Sequence, residues 1–192
     1  MYKVGITGGI GVGKTYVSSI FKSLGVPVFK ADHEAKKMMN ESNPLINRIK
    51  KEFGDDIYVN SKLDTQKLSK IVFSDQRNIA KLNNIVHPIV REYFSSWCKS
   101  QNADYVVKEA AILFESNTHV GLDKVICVTS NYNLRLKRLK LSRNLSESDI
   151  KDRMKMQMSQ DLKQSLSDFI INNDENQMLL PQILKIHNDL IS

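Results

Sequence analysis

Cysteine is nearly missing from this chain. Cys98 and Cys127 are the only two among 192 residues, and neither has a CxxC partner or a histidine-rich neighbourhood. That excludes a disulfide framework and argues against a zinc site, and it suits a reducing compartment. Long apolar runs are absent as well: no stretch approaches the roughly 20 residues a bilayer-spanning helix needs. The apolar opening from Met1 to Ile10 is broken by Gly5, Gly8 and Gly9, unlike a secretory leader, so the expectation is a cytoplasmic protein that is not exported. There is no internal repeat and no low-complexity segment. An Asn-Lys-x-Asp run, the usual guanine-reading element, is also lacking, which counts against a GTP switch.

What is present is an ordinary globular composition, 41% hydrophobic and 26% charged, in a chain long enough to bury roughly 70% of its unfolded surface. Lys and Arg outnumber Asp and Glu by 28 to 21, a net charge of +7. An excess of that size fits nucleic acid, an acidic membrane or a polyanionic small substrate, and charge alone does not choose among them.

Tyr2 to Thr7 reads as a strand running into a glycine loop, and Val17, Ile20, Phe21 and Leu24 then recur at helical spacing, closed by Gly25. Val26 to Phe29 is a second short strand, with Pro27 near its start. From Asp32 to about Gln101 the pattern is helical, with Ser74 expected to cap one helix and Pro88 to sit early in another. Tyr105–Lys108 and Lys124–Thr129 look like strands buried on both faces, as in a parallel sheet covered by helices. Leu134 to Gln164 reads as one strongly charged helical stretch, Phe169–Ile171 as a last strand, and Glu175–Ile191 as a terminal helix.

Gly8-Gly9-Ile10-Gly11-Val12-Gly13-Lys14-Thr15 satisfies G-x-x-x-x-G-K-[ST] at every fixed position, between a strand and a helix as the motif requires. Its glycines let successive N–H groups face a phosphate, and the helix N-terminus adds partial positive charge. Gly8, Gly9, Gly11, Val12, Gly13, Lys14, Thr15 and Tyr16 are therefore the expected ATP-binding residues. Lys14 would reach the β and γ phosphates, and the Thr15 hydroxyl would ligate Mg²⁺. The loop alone leaves open hydrolysis, group transfer or sensing.

With the glycine loop, the Leu82 to Val90 run (Leu-Asn-Asn-Ile-Val-His-Pro-Ile-Val), Glu109 to Glu115, the arginine-rich segment, the late Arg-Met-Lys-Met-Gln stretch and Asp168 to Asn173 in order, nearly the whole chain resembles the dephospho-CoA kinases. The resemblance implies an α/β P-loop kinase fold: a parallel sheet covered by helices, an inserted helical substrate domain and a lid. The implied division is a nucleotide-binding core at 1–31, 103–133 and 165–192, a helical coenzyme-binding subdomain at 32–102, and a lid at 134–164. It further implies ATP and Mg²⁺ as cofactors, and ATP and dephospho-CoA as small-molecule partners. No nucleic acid or membrane is expected, and the protein is expected to be a monomer or weak homo-oligomer.

Asp32 matches the family's second aspartate and is the expected general base, although read alone it is a helix N-cap before Ala35. The family's first aspartate is Lys30 here, a departure that bears on the acceptor pocket. Arg143 is the preferred catalytic arginine and Arg138 a second clamp on the triphosphate. Arg135, Lys137, Arg138, Lys140 and Arg143 could otherwise form a solvated basic face or a nucleic-acid patch. Arg153 and Gln157 match the later lid motif. Glu109, at a strand end, is expected to hold Mg²⁺ through water, with Lys14 serving both binding and catalysis. His87 and Glu115 sit at family-matching positions as substrate-binding candidates, although His87 before Pro88 equally suits a buried backbone cap. Tyr16 replaces a small hydroxyl residue, so only its backbone N–H would meet phosphate, and Thr65 stands where arginine is common. Trp97, the methionines at 154, 156 and 158, and Phe94 read as packing. A different P-loop small-molecule kinase and a nucleotide-dependent nucleic-acid binder are the competing readings.

Overall fold

The expected opening strand is β1 (Tyr2–Thr7), the glycine loop follows, and helix α1 (Lys14–Ser23) begins at the motif lysine. The structure is a computed structural model whose described residues are 1–143 and 146–192, and the side chains of Phe73, Ser142 and Arg143 also lie outside the description. Strand β2 (Val28–Lys30) leads directly into α2 (Ala31–Glu41) and α3 (Asn43–Phe53). A 3-10 turn at Asp55–Ile57 then opens a two-residue-per-strand hairpin of β3 (Tyr58–Val59) and β4 (Lys62–Leu63). Helices α4 (Thr65–Phe73) and α5 (Gln76–Lys99) follow, then β5 (Tyr105–Glu109), β6 (Lys124–Thr129), α6 (Tyr132–Arg143), α7 (Glu147–Lys155), α8 (Gln160–Ser165), β7 (Phe169–Asn172) and α9 (Leu179–Ile191).

The chain divides into two compact units, Met1–Lys30 with Gln101–Ser192, and Ala31–Ser100. The first holds a five-stranded sheet in the order β2-β5-β1-β6-β7, parallel throughout. This is the P-loop kinase architecture. Its central strands β1, β5 and β6 are buried along most of their length, as expected where helices cover both faces. Val4, Ile6, Val107, Ile126 and Val128 from the sheet pack in one core with Phe21 of α1. Each such side chain, fully buried, contributes roughly 1.5–3 kcal/mol. The second unit is built around Leu45 and Ile49 of α3, Ile57, Leu68, and Val86, Val90 and Phe94 of α5, all buried.

Several local expectations are corrected. The second strand starts at Val28 rather than Val26, and the Pro27 carbonyl, just ahead of it, accepts from the Val107 N–H at 2.9 Å. Ser74 ends α4; the cap of α5 is its neighbour Asp75, whose Oδ1 accepts from the Arg77 N–H at 2.8 Å. Pro88 lies well inside α5 rather than early in a helix. It removes one helical N–H there, a defect that tertiary packing of the Val86, Val90 and Phe94 face outweighs. The single helical stretch expected over Leu134 to Gln164 is three helices. Ser146 accepts from the Asp149 N–H and Ser159 from the Leu162 N–H, two serine caps that start new helices within a charged run. The terminal helix starts at Leu179, so Pro181 falls in its first turn, where a missing N–H costs nothing.

Candidate functional site

The glycine loop joins β1 to the first turn of α1, and that turn carries no acidic side chain to offset its positive end. Gly13 shows why the motif needs glycine: its φ is +92°, and a Cβ there would collide with the Asn173 amide. Asn173 is buried just beyond β7, and its Nδ2 donates to the Val12 carbonyl at 2.8 Å. The Lys14 ammonium is held across the loop, donating to the Gly8 and Gly9 carbonyls at 2.9 and 3.0 Å. The Tyr16 N–H donates to the Gly13 carbonyl at 3.0 Å in the first turn of α1, and the tyrosine ring is exposed.

Glu109 ends β5 beside β1, with Ile6 as its register partner. Its Oε1 accepts from the Thr15 hydroxyl and its Oε2 from the Ser18 hydroxyl, both at 2.8 Å. Here one buried carboxylate is held by two neutral hydroxyls, one of them that of the motif threonine. Among the described residues there is no cluster of three or more His, Cys, Asp or Glu. The donor set therefore fits a cation that keeps most of its water and binds chiefly through phosphate oxygens, as Mg²⁺ does, rather than an all-protein cage.

Beyond β6, Arg135 on α6 and Gln157 between α7 and α8 hold the loop at Ile10. The Arg135 Nε donates to the Ile10 carbonyl at 2.9 Å, while the Ile10 N–H donates to Gln157 Oε1 at 2.8 Å. A Cβ on Gly9 would lie 2.5 Å from the Arg135 guanidinium, so glycine makes room for that approach. Burial lowers the Arg135 pKa from its ordinary value. Arg138 reaches the same region but is committed to neighbours: it donates to Ser130 Oγ at 3.3 Å, to the Asn173 carbonyl at 3.1 Å and to Glu175 at 3.0 Å. Beside Arg135 and Gln157 opens a cavity of about 390 Å³, bordered by Tyr132, Met154 and Met158.

Other sequence-derived candidates fall elsewhere. Glu115 joins the buried Lys163 at 2.8 Å and accepts from the Met158 N–H at 3.0 Å. Arg153 is exposed on α7 and does not border the cavity. Arg143 is the last residue of α6, and its side chain lies outside the described residues. Asp32 and His87 belong to the second unit. Asp32 is exposed in the first turn of α2, inside the helix rather than capping it, two residues after Lys30. His87 is half-buried on α5. Residues the sequence reading passed over are Arg135, assigned to a basic face, Asn173, visible only as the end of a matching run, and Ser18 and Lys163, which carried no signal.

Against known proteins, residues 2–178 match the family described as Dephospho-CoA kinase. A curated dephospho-CoA kinase of Bacteroides fragilis is 34% identical over 185 residues, covering 96% of this chain and 90% of that protein. Among solved structures, TT1252 from Thermus thermophilus is similar with a TM-score of 0.88 and 27% identity, covering 100% of this chain and 98% of its own. The dephospho-CoA kinase from Campylobacter jejuni has a TM-score of 0.68 and 28% identity, covering 98% and 96%.

Proposed function

The chain belongs to the dephospho-CoA kinase family, and from that premise we propose that it moves the γ-phosphoryl group of ATP to the 3'-hydroxyl of dephospho-CoA, releasing ADP and CoA. The observation that carries the reading is the phosphate loop itself. Lys14 lies over it, α1 opens behind it without acidic residues in its first turn, and Thr15 is joined to Glu109.

Phosphoryl transfer asks for positioning and charge neutralisation more than covalent chemistry. The acceptor oxygen attacks the γ-phosphorus, the bond from that phosphorus to the bridging oxygen breaks, and ADP leaves. Asp32 takes the proton of the acceptor hydroxyl, a role supported by its match to the family's second aspartate. Lys14 neutralises the β and γ oxygens, with the loop N–H groups around it. Thr15 and Glu109 are the residues that would hold Mg²⁺, which when bound would supply positive charge against the triphosphate. Arg143 stabilises the transferring group, and Arg138 and Arg153 complete the cationic surround, in a lid spanning 134–164. His87 and Glu115 contact the coenzyme, the first from the helical segment 32–102. The reaction runs in the cytoplasm on small molecules; among the described residues no helix is long and apolar enough to cross a membrane.

The test is acceptor-dependent ADP release by the purified chain with Mg-ATP, offering dephospho-CoA, adenosine, AMP, cytidine nucleotides or nucleic acid. Turnover is expected with dephospho-CoA, giving a 3'-phosphorylated product; turnover only with another acceptor would discard the acceptor assignment. Asp32→Asn should lower turnover by roughly 10²- to 10⁴-fold while ATP affinity stays near that of the parent. Unchanged turnover in that variant would remove Asp32 from the mechanism.

A further inference from the structure

Lys163 is the most completely buried cation among the described residues, with 0% of its side chain exposed, and the chemistry above does not use it. Its ammonium donates to the Ala111 carbonyl at 2.8 Å and pairs with Glu115 Oε1 at 2.8 Å. The same Glu115 oxygen accepts from the Met158 N–H at 3.0 Å, while Glu115 Oε2 is buried with no hydrogen-bond partner. Desolvation makes such a pair a poor source of stability, since a well-packed apolar replacement is often neutral or better. What the pair does achieve is geometric. It ties α8 to the segment just past Glu109 and fixes the peptide at Met158, next to Gln157.

Gln157 is the residue whose Oε1 receives the Ile10 N–H at 2.8 Å, and Arg135 holds the carbonyl of the same residue at 2.9 Å. Ile10 follows Gly9, whose carbonyl takes the Lys14 ammonium at 3.0 Å. A continuous path of hydrogen bonds and adjacent peptides thus runs from Lys163 through Glu115, Met158 and Gln157 to the phosphate loop. We infer that Lys163 is a positioning residue for phosphoryl transfer: through Glu115 it fixes Gln157 against Ile10 and so sets the shape in which the loop meets the triphosphate. Lys163 touches no reacting atom. The inference rests on the ATP-dependent reading above.

The test uses the full chain with Lys163→Met, Glu115→Gln, Gln157→Ala and the pairwise doubles. Glu115→Gln keeps an oxygen for the Met158 N–H and removes the charge facing Lys163. The first readout is the Ile10 amide resonance in ¹⁵N-labelled protein without nucleotide, which stands apart from any question about the acceptor. It should move in Lys163→Met and Glu115→Gln in the direction that Gln157→Ala moves it. The second is the split of kinetic constants: KM for ATP should rise about tenfold in each single variant, with KM for dephospho-CoA unchanged in Lys163→Met and Gln157→Ala, neither of which is a coenzyme contact. The doubles should be no worse than the worse single, because residues in one network are not additive. A purely structural role would lower the unfolding midpoint and leave the Ile10 resonance and KM for ATP alone. An unmoved Ile10 resonance, or penalties that multiply in the doubles, overturns the inference. If Lys163→Met does not fold, Glu115→Gln with Gln157→Ala is judged by the same two criteria. Parent protein inactive with dephospho-CoA but showing the Ile10 coupling would sink the acceptor reading alone.

Discussion

The two units of this chain bury different chemistry. All eight buried polar or charged side chains among the described residues, including Ser18, Glu109, Lys163 and Asn173, belong to the sheet unit. The helical unit buries apolar groups such as Leu45, Ile49 and Phe94 and keeps its ion pairs at the surface, for example Lys67 with Asp56 and Lys81 with Glu52. Burying a polar group costs free energy unless every bond is remade, so a fold carries that cost where geometry matters more than stability. Around the phosphate loop it is carried repeatedly, with hydroxyls on Glu109 and an amide on Val12. In the helical unit it is absent, and surface pairs there are worth little in water.

The contrast predicts that substitutions in the sheet unit's polar set separate activity from stability, whereas those in the helical core do the reverse. Lys14→Ala should show the largest effect, a loss of roughly 10³-fold in kcat/KM for ATP with any acceptor and little change in the unfolding midpoint. A variant that unfolds instead would break the contrast. Leu45→Ala should come next, costing about 2–5 kcal/mol in chemical denaturation while the folded fraction keeps the parent's KM for ATP. The smallest effect belongs to Glu147, which sits on the exposed surface of the sheet unit. Hydrogen bonds from Lys140 and Lys151 hold its carboxyl down at about 2, against an ordinary 4.5. Because the folded pKa is the lower one, the pairing is fully present above the ordinary carboxylate value and fades as pH falls toward 2. The small midpoint difference between Glu147→Gln and the parent should therefore shrink on acidification below pH 4.5, and a difference that grows would contradict the pairing.

Legibility in the sequence did not follow that division, because both units held features the local pattern hid. The opening strand, the loop and α1 were readable because a short strand, fixed glycines and helical spacing agree at one place, and β6 was readable because Val125–Val128 is an uninterrupted apolar run flanked by Lys124 and Thr129. The β3–β4 hairpin went unseen because its turn uses Asn60 and Ser61, both at positive φ, where Asn-Gly would have announced it. The breaks between α6, α7 and α8 were hidden because two serine caps look like ordinary surface residues in a charged segment. At the site, the motif named Lys14 and Thr15 directly. Arg135 and Lys163 were not distinguishable, since a cation that folds inward and one that faces water have the same local sequence. Only the tertiary partners, Ile10 for the first and Glu115 for the second, separate them.

The strand order has a consequence for how the chain is made. β1 lies in the middle of the sheet, and Tyr2 finds its register partner only at Tyr105. On a ribosome the first strand therefore waits, with both edges unpaired, while the whole helical unit emerges. That unit is mostly helical, a composition that tends toward faster folding than a sheet of non-local strand pairs. Its folding would shorten the effective loop that β1 and β5 must close. A chain truncated before Tyr105 would leave β1 without its β5 partner, an unpaired strand prone to self-association.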